Sequence, residues 1–277
     1  MRLTDALQSV LPSPAAGGVI ALVGAGGKTR ALFGLGEELA EQGHDVLLTT
    51  TTHIFDPRLE AGRLFDEVIL EGACPWEQVP PRPDRGRRIV FAGCKAPDPG
   101  KLRGVEPTRI GELARAGAFL LVEADGAKRH PVKAPGPHEP VVPGMAGLVI
   151  GVIGLDCLGR PMDGATVHRP EHFSTVAGCA MGDPIRPEHL MALARSPQGL
   201  FKGTPPGSRR VLLLNKADCC SLEPAVLLGR LQGCGDLPVD LVLVCTLRAP
   251  DSRERVLAVM DVLRPAICLA GGSPACP

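Results

Sequence analysis

Apolar residues along this chain fall into two patterns: short unbroken runs, and stripes spaced three and four residues apart. Leu3, Leu7, Val10 and Leu11 share one face of a short amphipathic helix over residues 3 to 11, which Pro12-Ser13-Pro14 ends. The run Val19-Ile20-Ala21-Leu22-Val23 is apolar and largely β-branched, and predicts a buried strand. It passes through Gly24-Ala25-Gly26-Gly27 into a helical stripe over residues 31 to 42, carried by Leu32, Leu35 and Leu39 and stopped by Gly43. Residues 45 to 53 predict a second strand with a hydroxyl-rich end, Thr49-Thr50-Thr51-Thr52-His53.

Further strands are predicted at 67 to 71, 89 to 92, 118 to 123, 148 to 155, 210 to 215 and 239 to 246. Helices are predicted at 108 to 116, from just beyond His172 to about Met181, and at 187 to 195, 222 to 231 and 252 to 263. Pro- and Arg-rich residues 74 to 88 and Pro-, Gly- and Lys-rich residues 128 to 147 read as loops, and the tail from Ala270 as frayed. Strand, helix, strand in sequence implies a right-handed parallel crossover. The expected fold is a doubly wound α/β domain of the P-loop NTPase type over residues 1 to 277. It has seven or eight mostly parallel strands and an accessory segment at 128 to 208. Ligands of such sheets sit beyond the carboxyl ends of the strands.

Composition narrows the partners. Lysine plus arginine equals aspartate plus glutamate at 30 each, so no global field favours nucleic acid or a membrane surface. Aromatic content is 3 % with no tyrosine, which argues against base-stacking platforms. The ten cysteines show no C-x-x-C spacing. With no secretory signal pattern at the start, a cytoplasmic protein with reduced thiols is expected. The apolar window at 148 to 158 is broken by Asp156 and is too short to span a bilayer.

The chemistry gathers at strand ends. Gly24-Ala25-Gly26-Gly27-Lys28-Thr29 between a strand and a helix is the grammar of a phosphate-binding loop. Glycines let backbone N–H groups approach an anion, and the new helix points its positive end there. Lys28 is expected on the β/γ-phosphates and the Thr29 hydroxyl on Mg²⁺. The full Walker pattern would need glycine at position 22, where this chain has Leu22, so the loop is a short form. Glu123 and Asp125, at the end of the strand at 118 to 123, are the candidate Mg²⁺-holding acids. Thr51, Thr52 and His53 are candidate γ-phosphate sensors, with Thr52 joining Lys28 and Asp125 in the catalytic set.

A second signal is the apolar strand that runs into Asn215-Lys216-Ala217-Asp218. An aspartate there can accept from the ring N–H and exocyclic amine of guanine. Adenine presents the wrong donor pattern and would leave polar groups unpaired. Asn215 would support the loop, the Lys216 stem would pack along the ring, and a later loop at Cys245-Thr246-Leu247 would contact the base. Lys133, His138, Glu139, His168 and Arg169 lie in Pro-rich segments behind the acidic strand end, and are candidates for a substrate or partner face beside His53.

Taken together, residues 23 to 29, Thr49-Thr50-Thr51-Thr52-His53, Glu123-Ala124-Asp125-Gly126-Ala127, Lys133-Ala134-Pro135, His138-Glu139-Pro140, His168-Arg169-Pro170-Glu171 and Asn215-Lys216-Ala217-Asp218 resemble the YqeC family, accessory proteins of selenium-dependent molybdenum hydroxylases. The resemblance implies cofactor maturation as the process, with a molybdenum hydroxylase or its cofactor-processing proteins as partners, and leaves the chemical step open. The short loop is also similar to that of the Mur peptide ligases, but Arg30 stands where those have Thr or Ser. The residues themselves point to binding and hydrolysis of Mg-GTP, or of Mg-ATP. An ATP-dependent kinase or ligase, and a non-catalytic carrier of a selenium or molybdenum species, are the competing readings.

Overall fold

The computed structural model describes residues 1–13, 18–59, 65–70, 83–114, 119–247, 255–262 and 266–269. Most of the expected loop at 74 to 88 and the tail from Ala270 lie outside them. The organising element is β1 (Val19–Gly24), buried along its whole length. Parallel strands flank it on both sides: β8 (Phe119–Glu123) and β10 (Leu148–Gly154). Beyond β8 lie β2 (Val46–Thr50), β5 (Arg88–Ala92) and β4 (Glu67–Leu70), all parallel. Beyond β10 lie β12 (Arg209–Asn215) and β13 (Leu241–Cys245), also parallel. The sheet closes with antiparallel β14 (Val256–Asp261) and β15 (Ala266–Leu269), making ten strands in the order 15-14-13-12-10-1-8-2-5-4.

Alternation along β1 divides the protein into two cores, because successive side chains of a strand point to opposite faces. Ile20 and Leu22 pack on one side with α1 (Leu3–Leu7) and with Leu32, Leu35 and Leu39 of α2 (Lys28–Glu41). Val19, Ala21 and Val23 pack on the other, with Ile110 and Leu113 of α3 (Pro107–Ala114) and Phe173 of α4 (Pro170–Ala177). The same core takes Leu190 of α5 (Pro187–Arg195) and Leu227 and Leu231 of α6 (Pro224–Gly233). Helices on both faces of a mostly parallel sheet make the fold doubly wound, as expected. The chain leaves β1 toward β2 on one flank, while β10, β12 and β13 extend the other. The carboxyl end of β1 therefore sits where the winding direction changes, the crevice such sheets use for ligands.

Three elements differ from the sequence expectation. Residues 256 to 261 form a strand where a helix was expected. Their burial alternates strictly, Val256, Ala258 and Met260 inside, and this period of two wins over helical propensity once β13 offers an edge. The expected strand at 45 to 53 stops at Thr50. There the Thr50 hydroxyl donates to the Glu123 carbonyl oxygen at 2.8 Å and accepts from the Thr52 amide at 3.1 Å, which turns the chain out of the sheet. His53 then opens a small separate sheet, β3 (His53–Phe55) against β7 (Lys101–Arg103) and β6 (Cys94–Lys95), the last two in a stretch for which the sequence predicted no strand. A further short pair, β9 (Val132–Lys133) and β11 (Val167–His168), ties the 128–147 loop to the start of α4.

Candidate functional site

The glycine turn is held in place by its backbone. Gly24, Gly26 and Gly27 all have left-handed φ, at 93°, 79° and 131°. A Cβ at Gly26 would run into the amide nitrogen of Gly154, and one at Gly27 into the Asn215 side-chain amide. Glycine is required here for both backbone and space. The first three amides of the turn are spent inside the protein. Gly24 N–H donates to Asp125 Oδ2 at 3.1 Å, Ala25 N–H to the Val152 carbonyl at 2.9 Å, and Gly26 N–H to the His130 carbonyl at 3.1 Å. The first turn of α2 begins directly afterwards, its ladder opening with Ala31 N–H to Gly27 O at 3.0 Å. The amides of Gly27, Lys28, Thr29 and Arg30 are therefore the orphan donors of a helix start, where an anion is favoured.

Around that turn stands a row of alternating charges. Lys28 Nζ donates to the Gly24 carbonyl at 2.6 Å, and lies 3.2 Å from Asp125 Oδ1 and 3.8 Å from Glu123 Oε1. Asp125 Oδ2 is 2.9 Å from Lys133 Nζ. Lys133 donates in turn to Glu139 Oε2 at 2.7 Å and to the Gly126 carbonyl at 2.7 Å. Arg169 Nη1 donates to the same Glu139 oxygen at 2.6 Å. Lys28, Asp125 and Lys133 are buried, so each depends on its neighbours for its charge. Burial opposes the charge of Lys28, but Asp125 and Glu123 outweigh it and its pKa is raised. Burial also raises Glu123, against the pull of Lys28 and Thr29. Burial of Glu139 is overcome by its bonds to Arg169 and Lys133, and its pKa falls to about 2.

Oxygen donors suited to Mg²⁺ converge here. The Thr29 hydroxyl donates to Glu123 Oε2 at 2.8 Å, so hydroxyl and carboxylate already share one corner. Asp125 Oδ1 is buried and makes no hydrogen bond among the described residues. A threonine hydroxyl with two carboxylates is a hard, all-oxygen set of the kind a magnesium ion takes.

Asn215 joins the loop after β13 to the glycine turn. Its Nδ2 donates to the Gly26 carbonyl at 2.8 Å and its Oδ1 accepts from the Leu247 amide at 3.0 Å. One buried side chain thus ties the glycine turn, the end of β12 and the loop after β13. Lys216 has left-handed φ (64°), and its Nζ donates to Asp156 Oδ2 at 2.7 Å. Asp218 is exposed. Asp156, at the end of β10, was not among the sequence candidates. Its signal was available, since it is a carboxylate just past a buried strand, as Asp125 is.

The remaining candidates divide. The Thr51 hydroxyl donates to the Val141 carbonyl at 3.3 Å, and Thr52 Oγ1 lies 3.3 Å from Thr50 Oγ1. Lys133, Glu139 and Arg169 join the charged row. His168 stands beside it, stacked on His130 with ring centroids 5.5 Å apart. Burial, followed by the charges of Arg169 and Lys133, lowers its pKa to about 4. His53 and His138 are exposed and outside the row. An open cavity of about 730 Å³ lies past the Arg169 end, between Pro135–Pro137, Glu171, His172 and Lys202.

Fold and site together define a doubly wound α/β protein with a glycine turn and a buried charged row at the carboxyl edge of its central strand. Comparison with known proteins gives the family. The family model described as "YqeC protein" matches residues 20–171. A protein of Escherichia coli (strain K12), "Uncharacterized protein YqeC", is 37% identical over 206 residues, covering 73% of this chain and 77% of its own length. The chain belongs to the YqeC family. No solved structure gives a significant match. Among the described residues, no helix is long and apolar enough to cross a membrane.

Proposed function

We propose that this protein binds a magnesium–nucleotide, GTP in preference to ATP, at the carboxyl edge of β1 and hydrolyses it. The observation that carries the reading is the Asn215 tie. Its side chain hydrogen-bonds the glycine turn and the Leu247 amide together, which supports reading the two segments as the phosphate and base sides of one crevice. The orphan amides of Gly27 to Arg30 would receive the phosphates. Lys28 would turn from Gly24 O and Asp125 toward the β/γ-oxygens. Thr29 with Glu123 or Asp125 would hold Mg²⁺, which would supply positive charge to offset that of the phosphates. Asp218, exposed on the base side, would read guanine.

The resemblance set out above supplies the biological setting. On that reading the turnover serves maturation of a selenium-dependent molybdenum hydroxylase or its cofactor, in the cytoplasm. Transfer of the phosphoryl group to an acceptor is the second reading. The polar group of Lys133, Glu139 and Arg169 favours it, because simple hydrolysis needs no such face beside the loop. The deciding experiment titrates GTP and ATP, each with Mg²⁺, into the wild type and Lys28→Ala. Tighter GTP binding that Lys28→Ala abolishes supports the proposal. Binding of ATP alone overturns the assignment of Asp218, and undiminished binding by Lys28→Ala overturns the site.

A further inference from the structure

The outer face of the small sheet β3–β7–β6 has no part in the reading above. Antiparallel register pairs His53 with Arg103 and Phe55 with Lys101, so these four side chains share one face while Ile54 and Leu102 are buried beneath. Phe55 is 43% exposed, and the Arg129 guanidinium lies 4.4 Å from its ring centroid, with Lys101 Nζ at 5.6 Å. Arg129 and its neighbour Lys128 both have left-handed φ, 64° and 46°. Two consecutive non-glycine residues in that region are strained, and such strain clusters at working sites. Here it gives neither residue a salt bridge among the described residues; it presents Arg129 on an exposed ring. Leu59, 72% exposed, borders a separate open depression of about 400 Å³, where Arg58 pairs with Asp56 and Lys101 with Asp98.

We propose that this face docks an acidic protein segment, with Phe55 as the apolar anchor and Arg129 and Arg103 as the charged rim. An exposed aromatic set among arginines matches the residue types enriched at protein interfaces. The cations come from two separate segments, β7 and the turn at Lys128-Arg129. One ring is no stacking platform for nucleic acid, and the chain's balanced charge supplies no long-range field to attract one. Carboxylates on a partner complement the rim directly. The proposal does not rest on nucleotide binding.

The test uses the full chain and three fluorescent probes at low and at physiological salt. They are a glutamate-rich peptide containing leucines, an oligo-dT of matching charge, and phosphatidylserine vesicles. The peptide is expected to bind tightest, to weaken with salt, and to lose at least about tenfold in affinity with Phe55→Ala and with Arg129→Glu. Arg129→Gly removes both cation and strain, so it should lose the same binding while raising the thermal midpoint. Where a variant unfolds, Arg103→Glu on an exposed strand position repeats the test. The proposal is overturned by undetectable peptide binding, by equal affinity in the variants, or by tighter binding of the oligonucleotide or the vesicles.

Discussion

The Asn215 side chain holds the Gly26 carbonyl at 2.8 Å across a sequence separation of 189 residues. The same side chain accepts the Leu247 amide, so Asn215→Ala strands two buried backbone groups at once. Each costs about 1–3 kcal/mol. We expect a loss on the order of 2–6 kcal/mol of unfolding free energy by denaturant titration, together with weaker GTP binding. Asn215→Asp keeps the acceptor for Leu247 but sets a buried carboxylate oxygen against the Gly26 carbonyl, so it should recover no stability at neutral pH. Equal stability of wild type and Asn215→Ala would count against the tie.

Gly26→Ala tests the turn itself. The new Cβ must enter space held by Gly154, at a φ of 79° that alanine avoids. Backbone strain alone is about 1–3 kcal/mol, and the steric conflict adds to it. Thermal unfolding should show a marked fall, with nucleotide affinity lost in whatever fraction remains folded.

Lys28→Met leaves Asp125 buried with Lys133 as its remaining cation among the described residues. Removing one member of a buried ion pair costs about 3–5 kcal/mol, whereas replacing both with apolar groups is often neutral. Lys28→Met should therefore be much less stable than wild type, and the double variant Lys28→Met with Asp125→Leu should regain part of the loss. Both should fail to bind nucleotide. A double variant no more stable than the single one would show that Asp125 matters more to Gly24 and Lys133 than to Lys28.

Acid should weaken the protein in two windows. The His168 pKa is lowered to about 4, so between its ordinary value near 6.5 and 4 the unfolded chain binds more protons than the native one, and stability falls as pH falls. The Glu139 pKa is depressed to about 2, so its contribution is complete above its ordinary value of 4.5 and is lost as pH drops toward 2. Solvent screening at this half-open carboxylate keeps that contribution on the order of 1–2 kcal/mol. Glu139→Gln should flatten the lower window and His168→Asn the upper one, as read from midpoints of urea unfolding at successive pH values.

What the sequence revealed and what it hid follow from the range of the interactions. The turn at Gly24 to Thr29 was legible because a strand, three glycines and a helix start are local features. Asn215 was legible as a motif, but its bond to Gly26 was not, because the β1–β10–β12 adjacency that brings them together is a property of the sheet. Val256 to Asp261 misled because its apolar residues satisfy a helical stripe as well as an alternating one, and only the free edge of β13 decides between them. Asp156 was seen merely as an interruption of an apolar run. Its partner Lys216 lies 60 residues away, so nothing nearby marked it. The Lys133, Glu139 and Arg169 candidates were found singly, and their linkage through one carboxylate oxygen needed the fold.

The row from Lys28 through Asp125, Lys133 and Glu139 to Arg169 begins and ends in a cation, and each carboxylate in it is shared by two. Its members are therefore not free to act one at a time. Any ligand that draws Lys28 forward leaves Asp125 leaning on Lys133, and what Lys133 gives to Asp125 it takes from Glu139. Arg169 is then left as the main holder of Glu139, at the rim of the cavity beside Pro135–Pro137. If the glycine turn takes its proposed ligand, that occupancy would be felt as altered grip at the far end of the row, without any strand of the sheet having to move.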